Sequence, residues 1–381
     1  MNNLVNLRVA IIHEYLDNLG GAERVLLQII EMFPEADLFF LTYSPKKLPS
    51  WVVSKVAKHK VTVSFANRLH RFTPLVRMLA PKAIESFNLQ NYDLVISNCN
   101  SYAKGVITPT STLHISYIHS PTRYLWDYNQ QYLDEHAKNG LSRLILRRLF
   151  FSQRQWDFVA ARRPDFILAN SQNIASRIKK YYGLESEVLY PGTNLNQFKP
   201  AEKENYFLVV SRLSAYKKID LVVEAFRELP DLKLKIVGTG SELANLKKKA
   251  VGASNIQFLG FISEEELPNI YAKAKALIFP QVEDFGLVPI EAMASGTPVI
   301  AYEKGGALET ITEPTGMFFH PQTAKALIRA IREFLNKEHG FTKNNLLAHA
   351  QTFSEEKFKE NFQRIIGEAL VKNIKEEFKR N

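Results

Sequence analysis

Two carboxylates, Glu283 and Glu291, stand eight positions apart in the run Pro280-Gln281-Val282-Glu283-Asp284-Phe285-Gly286-Leu287-Val288-Pro289-Ile290-Glu291-Ala292. The apolar run Ala276–Phe279 before it reads as a strand, and the residues after the Gly286 turn read as a helix. Glu283 is therefore expected at a strand tip and Glu291 inside the next helix, with backbone N–H groups between them. Carboxylates accept hydrogen bonds from hydroxyls, and unpaired amides at a helix start attract negative charge. This combination suits a polyhydroxylated, negatively charged ligand.

Four other segments carry residues of the same kind. Arg212 and Lys217 lie five apart in Ser211-Arg212-Leu213-Ser214-Ala215-Tyr216-Lys217-Lys218, across a predicted strand–helix turn. Such a pair can clamp a diphosphate, the arginine by its fork and the lysine as a point charge; a solvated basic loop is the plainer alternative. Gly20-Gly21-Ala22-Glu23-Arg24 follows the first predicted strand, and Val237-Gly238-Thr239-Gly240 follows another. Glycines there let backbone approach a phosphate, although ordinary tight turns use the same residues. In Tyr117-Ile118-His119-Ser120-Pro121-Thr122-Arg123-Tyr124-Leu125-Trp126, His119 ends a strand and can donate to a sugar hydroxyl or a leaving phosphate. Arg123 and Trp126 can serve an acceptor or simply pack the loop.

The elements that must position these groups alternate strand and helix, twice over. Strand candidates in the first half are Arg8–His13, Leu38–Thr42, Val61–Phe65, Leu94–Ser97, Leu113–His119, Phe166–Asn170 and Val188–Tyr190. A second series runs through Phe207–Ser211, Lys233–Val237, Ile256–Leu259, Ala276–Phe279, Pro298–Ala301 and Met317–Phe319. The runs are continuously apolar rather than alternating, as in parallel strands covered on both faces. The polar stretch Pro191–Asn205, punctuated by Gly and Pro, reads as an interdomain linker. From Ser354 the tail reads as one amphipathic helix with Phe358, Phe362, Ile365, Ile366, Leu370 and Ile374 on its apolar side. The fold class is α/β, with two doubly wound domains. In such sheets ligands sit beyond the carboxyl ends of the strands, where all the segments above fall.

Composition narrows the partners. At 381 residues two domains are expected. A single cysteine, Cys99, rules out a disulfide framework and a thiolate cluster and fits a reducing compartment. The apolar run Val9–Ile12 is too short for a secretion signal, and no run approaches the ~18 residues of a spanning helix. The net charge of +10 admits an anionic substrate, an anionic membrane surface or nucleic acid. No recognition-helix, RNA-binding or zinc-finger motif accompanies the charge, so no nucleic-acid partner is expected. Between Arg143 and Arg163 six arginines face the single acid Asp157 and interleave with apolar and aromatic residues. This stretch, with Arg68-Leu69-His70-Arg71, can rest on anionic lipid, or the former can be an ordinary packed helix with Trp156 and Phe158 in the core. No Asp/His cluster at metal spacing is present, so no metal and no other cofactor is expected.

In this order, the Glu283-x7-Glu291 pair, the Arg212-x4-Lys217 pair, Gly20-Gly21 and Gly238-Thr239-Gly240 resemble the retaining glycosyltransferases of family four, over essentially the whole chain. The stretch Tyr117–Trp126 is similar to bacterial mannosyltransferases of O-antigen and surface-polysaccharide synthesis. The resemblance implies the GT-B fold, two facing Rossmann-like domains with an interdomain cleft. An N-terminal acceptor domain would span 1–195, with a C-terminal helix of about 360–381 packing back on it; a donor domain would span 196–359. Arg212 and Lys217 would bind the donor diphosphate, and Gly20 and Gly21 would bring amides to the β-phosphate and sugar. Glu283 would contact the sugar hydroxyls beside the amides of Phe285, Gly286 and Leu287. Glu291 would bind the ribose, Gly238 with the Phe261–Ile262 backbone would lie near the base, and His119 would touch the transferred sugar. One departure stands out: the glycine that usually follows the clamp lysine is Lys218 here.

The implied reaction is metal-independent transfer of a hexose, with retention, from a nucleotide-diphospho-sugar to a glycan or lipid-linked acceptor. GDP-mannose is the first donor to test and UDP-sugars come next. A nucleotide-sugar epimerase or hydrolase on the same fold is the alternative. The implied location is the cytoplasm, with the inner face of the cell membrane as a peripheral site.

Overall fold

The computed structural model describes residues 7–69 and 73–380, apart from the side chains of Thr73 and of 374–380. His70, Arg71 and the side chain of Ile374, all named above, lie outside the described residues. The chain divides into two compact units, Met1–Pro191 with Lys359–Asn381 (unit one) and Gly192–Phe358 (unit two).

Unit one holds a seven-stranded sheet of β1 (Val9–Leu16), β2 (Asp37–Tyr43), β3 (Val61–Val63), β4 (Leu94–Cys99), β5 (Leu113–Ile118), β6 (Phe166–Ala169) and β7 (Glu187–Val188), in the order β3-β2-β1-β4-β5-β6-β7. Every pairing is parallel. Unit two holds a six-stranded sheet of β8 (Tyr206–Val210), β9 (Lys233–Val237), β10 (Ile256–Gly260), β11 (Ala276–Phe279), β12 (Val299–Tyr302) and β13 (Gly316–Phe319), in the order β10-β9-β8-β11-β12-β13, again all parallel. Helices cover the sheets, which is why the central strands are buried on both sides. In unit two, Val222 and Phe226 of the helix Ile219–Arg227 and Leu327, Ile331 and Phe334 of the helix Ala324–Lys337 join Phe207, Val209 and Ile278 of the sheet in one core.

In each sheet the chain reverses its direction of winding once, beside β1 in unit one and beside β8 in unit two. Such switch points leave a crevice beyond the carboxyl ends of the two strands concerned. In unit one those are β1 and β4; in unit two they are β8 and β11.

The segment read as a linker is not free. Leu195 and Phe198 are buried, and the Phe198 ring meets Tyr271 edge-on at 6.0 Å. The Thr193 amide donates to the Phe353 carbonyl, and the Glu355 amide to that of Thr193. Two apolar anchors therefore tie a polar stretch onto unit two. The last helix, Glu355–Arg380, buries Phe358, Phe362, Ile365 and Ile366. From Lys359 onward it belongs to unit one, where the Lys359 ammonium pairs with Glu31 at 2.6 Å and Arg364 with Glu187 at 3.2 Å.

Candidate functional site at the strand ends

In unit two, β8 delivers Arg212 and the 3₁₀ turn Ala215–Lys217, and β11 delivers Glu283. The structure brings the lysine and the acid together: Lys217 Nζ donates to Glu283 Oε1, across 66 residues of sequence. Both side chains are only partly exposed, at 13% and 23%. Arg212, beside them in sequence, is exposed and forms no ion pair among the described residues. Lys218 follows at φ 55°, the one non-glycine residue with positive φ among those described, and starts the helix Ile219–Arg227. A β-carbon makes that conformation costly, which accounts for the glycine expected there.

Glu291 lies in the helix Leu287–Ala294, where its Oε2 accepts from the hydroxyl of the buried Tyr271 at 2.8 Å. One of its oxygens is thus held and the side chain is oriented. Gly286 takes φ 96° where the chain turns into this helix, and Phe285 is buried. The backbone of Glu283–Phe285 is itself propped by the loop after β12. The Gly306 amide donates to the Glu283 carbonyl at 2.9 Å, and a β-carbon on Gly306 would come within 2.4 Å of the Phe285 backbone. Sequence reasoning missed Tyr271 and this loop, although Gly305-Gly306 after an apolar run was the same signal used elsewhere.

Gly238 has a non-local cause. A β-carbon there would stand 1.9 Å from the Ser211 carbonyl oxygen, and one on Gly240 would stand 2.1 Å from that of Leu213. The loops after β8 and β9 interlock, with Leu213 N donating to Thr239 O at 2.9 Å and Glu242 N to Leu213 O at 3.0 Å. These glycines fix the loop that carries Arg212. Phe261, just after β10, is 78% exposed, and the Gly260 carbonyl before it accepts from the Gly238 amide at 2.7 Å. Ile262 is partly buried.

Unit one arranges its strand ends differently. His13 and Glu14 sit within β1, fully buried. Glu14 accepts from the backbone amides of Asn100, Ser101, Tyr102 and Ala103 at 2.7–3.1 Å. Burial opposes its ionisation, but His13 and those amides outweigh the penalty and hold its carboxyl below the ordinary value. His13 Nδ1 lies 3.0 Å from Asn98 O and 3.1 Å from the Asn98 side-chain amide nitrogen, and Nε2 lies 3.1 Å from Tyr15 O and 3.5 Å from Glu23 Oε1. Burial lowers its pKa, yet Glu23 and Glu14 more than compensate and raise it above its ordinary value. Glu23 is held low in turn, against its burial, by the His13 hydrogen bond. Sequence reasoning missed His13 and Glu14, although two ionisable residues inside an apolar strand are a visible signal.

This network claims the Gly20 amide, which donates to Glu23 Oε2 at 2.8 Å in a capping interaction instead of pointing outward. Gly21 is exposed at the first position of the helix Gly21–Met32. His119, 8% exposed, has its Nε2 at 2.7 Å from Asn98 Oδ1. The Asn98 amide nitrogen donates to Ala22 O at 3.0 Å, so Oδ1 must face His119 and Nε2 must carry the proton. In the neutral ring, Nδ1 is then an acceptor; donation from it requires the imidazolium. Trp126 is taken up in packing. Its Nε1 donates to the buried Asp157 at 2.7 Å and its ring stacks on Tyr181 at 5.1 Å. Its one polar atom is therefore committed to the fold, which agrees with the packing alternative for this loop. Arg123 opens the 3₁₀ turn Arg123–Leu125 and is partly buried. Among the described residues no group of His, Cys, Asp and Glu is placed to hold a metal, and no helix is long and apolar enough to cross a membrane.

Comparison with known proteins covers both units. A family model described as glycosyltransferase family 4 matches residues 19–197, and one described as glycosyl transferases group 1 matches 193–357. The O-antigen chain mannosyltransferase RfbU of Salmonella typhimurium is 31% identical over 46% of this chain and 52% of its own length, so the chain spans about half of that relative. The O-antigen chain mannosyltransferase C of Escherichia coli is 25% identical over 90% of this chain and 92% of its own. Among solved structures, HepE of Anabaena in complex with UDP superposes with a TM-score of 0.70 at 19% identity, covering 95% of this chain and 100% of that one. At that identity the likeness shows the two-domain GT-B fold.

Proposed function

The chain belongs to the family-four glycosyltransferases, and on that premise we propose that it moves a hexosyl group from a nucleotide-diphospho-sugar to a hydroxyl of a glycan or lipid-linked acceptor. The observation that carries the proposal is the Lys217–Glu283 pair at the switch point of the second sheet, with Arg212 on the same loop. An ammonium and a guanidinium there face the charge that develops on a leaving diphosphate, and one such preorganised group is typically worth ~3–4 kcal/mol in the barrier. Glu283 accepts from the sugar hydroxyls, and Glu291, oriented by Tyr271, accepts from the ribose. The amides of Phe285–Leu287 lie beside the sugar. His119, a hydrogen-bond acceptor in its neutral form, takes a hydroxyl of the transferred sugar, and the Gly21 amide serves the β-phosphate.

The proposed course is retaining and needs no metal, since fixed cations neutralise the leaving group. A double displacement requires a carboxylate nucleophile beneath the anomeric carbon. Glu283 is ill suited to that, because its ion pair with Lys217 stabilises the charge it would have to give up. Front-face attack fits better. The anomeric carbon–phosphate oxygen bond breaks, a bond to the acceptor oxygen forms, and the acceptor proton passes to the departing phosphate. GDP-mannose is the first donor proposed, because relatives along the chain are mannosyltransferases.

A thermal-shift panel of nucleotide-sugars tests this reading. A specific donor at 100 times its dissociation constant stabilises by ~2.7 kcal/mol, and Lys217→Ala is expected to abolish the response. With a matching acceptor, turnover should survive EDTA and give a product of unchanged anomeric configuration by NMR. A panel in which no nucleotide-sugar shifts the transition, or in which Lys217→Ala responds as the parent does, overturns the proposal.

A further inference from the structure

The helix Gly140–Ala160 is apolar on both faces, which a helix packed on a water-soluble domain normally is not. Its inner face is pinned by polar bonds as well as by Phe150. Asp157, 1% exposed, accepts from Lys104 Nζ at 2.6 Å, Thr122 Oγ1 at 2.9 Å, Trp126 Nε1 at 2.7 Å and Tyr182 OH at 2.8 Å. Gln153 donates to Arg77 O at 2.7 Å, and Trp156 to Glu85 at 2.7 Å. Rotation of the helix would break this set, so its orientation is fixed. Trp156 thus belongs to the packed side, as one reading of the sequence expected, and Phe158 does not.

The outer face presents Leu141, Leu144, Ile145, Phe151, Phe158 and Val159, each 39–69% exposed. Their spacing is that of a single stripe along a helix about 31 Å long. Arg148 lies within the stripe and Arg147 beside it; both are exposed and neither has a partner among the described residues. The helix contains no acid other than the buried Asp157. The neighbouring helix Thr73–Glu85, joined to it through Gln153 and Trp156, exposes Leu75 and Met78 as well.

We propose that this face is a docking surface for an anionic phospholipid bilayer, with the stripe buried at the headgroup–acyl boundary and Arg147 and Arg148 on the phosphates. The inference does not depend on the reaction proposed above. Charge complementarity selects the occupant. Large apolar side chains flanked by unpaired arginines, with no acid, match an interface of lipid tails under negative headgroups. A second copy is a poorer fit, because a two-fold contact along the stripe sets Arg148 against like charges of its mate.

The test is flotation of the full chain with vesicles of phosphatidylcholine alone or doped with phosphatidylglycerol, at low and high salt. Binding is expected on the doped vesicles only and should weaken as salt rises. Arg147→Ala with Arg148→Ala should weaken it by about 25-fold, roughly fivefold for each charge. Leu144→Ser with Ile145→Ser should weaken it by at least about tenfold. Tryptophan-monitored unfolding confirms that both double variants are folded, which their exposure predicts. No binding to the doped vesicles at low salt, or undiminished binding by both variants, overturns the proposal. So does a solution dimer that the serine variant dissociates, which would assign the face to a second copy.

Discussion

The two switch points belong to sheets of the same winding, yet they treat their charges in opposite ways. In unit one the ionisable groups at the end of β1 are sealed and satisfied from within. Glu14 fills a nest of four backbone amides, His13 is held between Glu14 and Glu23, and Glu23 takes the Gly20 amide. In unit two, Lys217 and Glu283 are partly exposed and hold one another, while Arg212 is open to solvent. An anion-binding nest already occupied by the protein's own carboxylate is scaffold. A partly exposed cation–carboxylate pair, whose members can exchange one another for ligand groups, is what the proposed reaction requires. Shared topology sets where a site can form, and saturation of the local groups decides whether it does.

The sharpest way to break this contrast is to remove Glu14. Glu14→Ala leaves four amides without their acceptor and takes one of the two carboxylates away from the buried His13, at a cost of about 4 kcal/mol. The three tryptophans, Trp51, Trp126 and Trp156, all lie in unit one, so fluorescence-detected unfolding in denaturant reads this loss directly. A midpoint like the parent's would show that the nest is not structural.

The same network should make unit one sensitive to pH. The His13 pKa is raised above its ordinary 6.5, so its contribution is full below that pH and is lost as pH rises through the folded-state value. Glu14 and Glu23 are lowered from 4.5, so theirs is full above that pH and is lost as pH falls through their folded-state values. From these groups, fluorescence-detected stability should be greatest between the two and decline on either side, and His13→Gln should flatten the alkaline limb.

Lys217→Ala inverts the pattern. Its ion pair lies near the surface, so stability should change by less than about 1 kcal/mol. Turnover should fall by about 10²–10³, some 3 kcal/mol in the barrier. Steady-state kinetics with the donor found in the thermal-shift panel checks this. A variant as active as the parent would move unit two into the scaffold class as well. Tyr271→Phe removes the donor that orients Glu291 and should weaken all nucleotide diphosphates alike, by about fivefold to tenfold, the size of one hydrogen bond; isothermal titration would read it.

Much of the fold was legible because buried parallel strands are continuous apolar runs, and all thirteen strands overlap runs read from the sequence. The errors came where one contact overrides composition. The run Val61–Phe65 is cut after Val63, since the Ser64 hydroxyl takes the Ala66 amide at 3.1 Å and turns the chain. Pro191–Asn205 looked like linker because nothing local shows that Leu195 and Phe198 find a surface to bury against. At the site, the pairing of Lys217 with Glu283 was not read from the sequence, because 66 residues separate them; the strand-end rule only put each of them after a strand. His13 and Glu14 were passed over because the first strand was read as ending at His13, whereas β1 runs on to Leu16 and carries both into the interior. Gly238 was legible as a glycine but not for its cause, a carbonyl from another loop that sequence spacing cannot reveal.

The smallest expected effect lies on the active side of the comparison. Lys218 holds φ 55° immediately after Lys217, at the position where the family resemblance leads one to expect glycine. A β-carbon in that conformation costs about 1–2 kcal/mol, part of which a glycine returns as greater freedom of the unfolded chain. Lys218→Gly should therefore stabilise unit two by about 1 kcal/mol. Unit two has no tryptophan, so the gain should appear in calorimetry or circular dichroism while the fluorescence transition stays in place. If Lys218→Gly instead destabilises the unit, the side chain makes compensating contacts worth more than the strain. If it stabilises but weakens donor binding, strain is retained at this turn for the positive charge it brings next to the proposed diphosphate clamp.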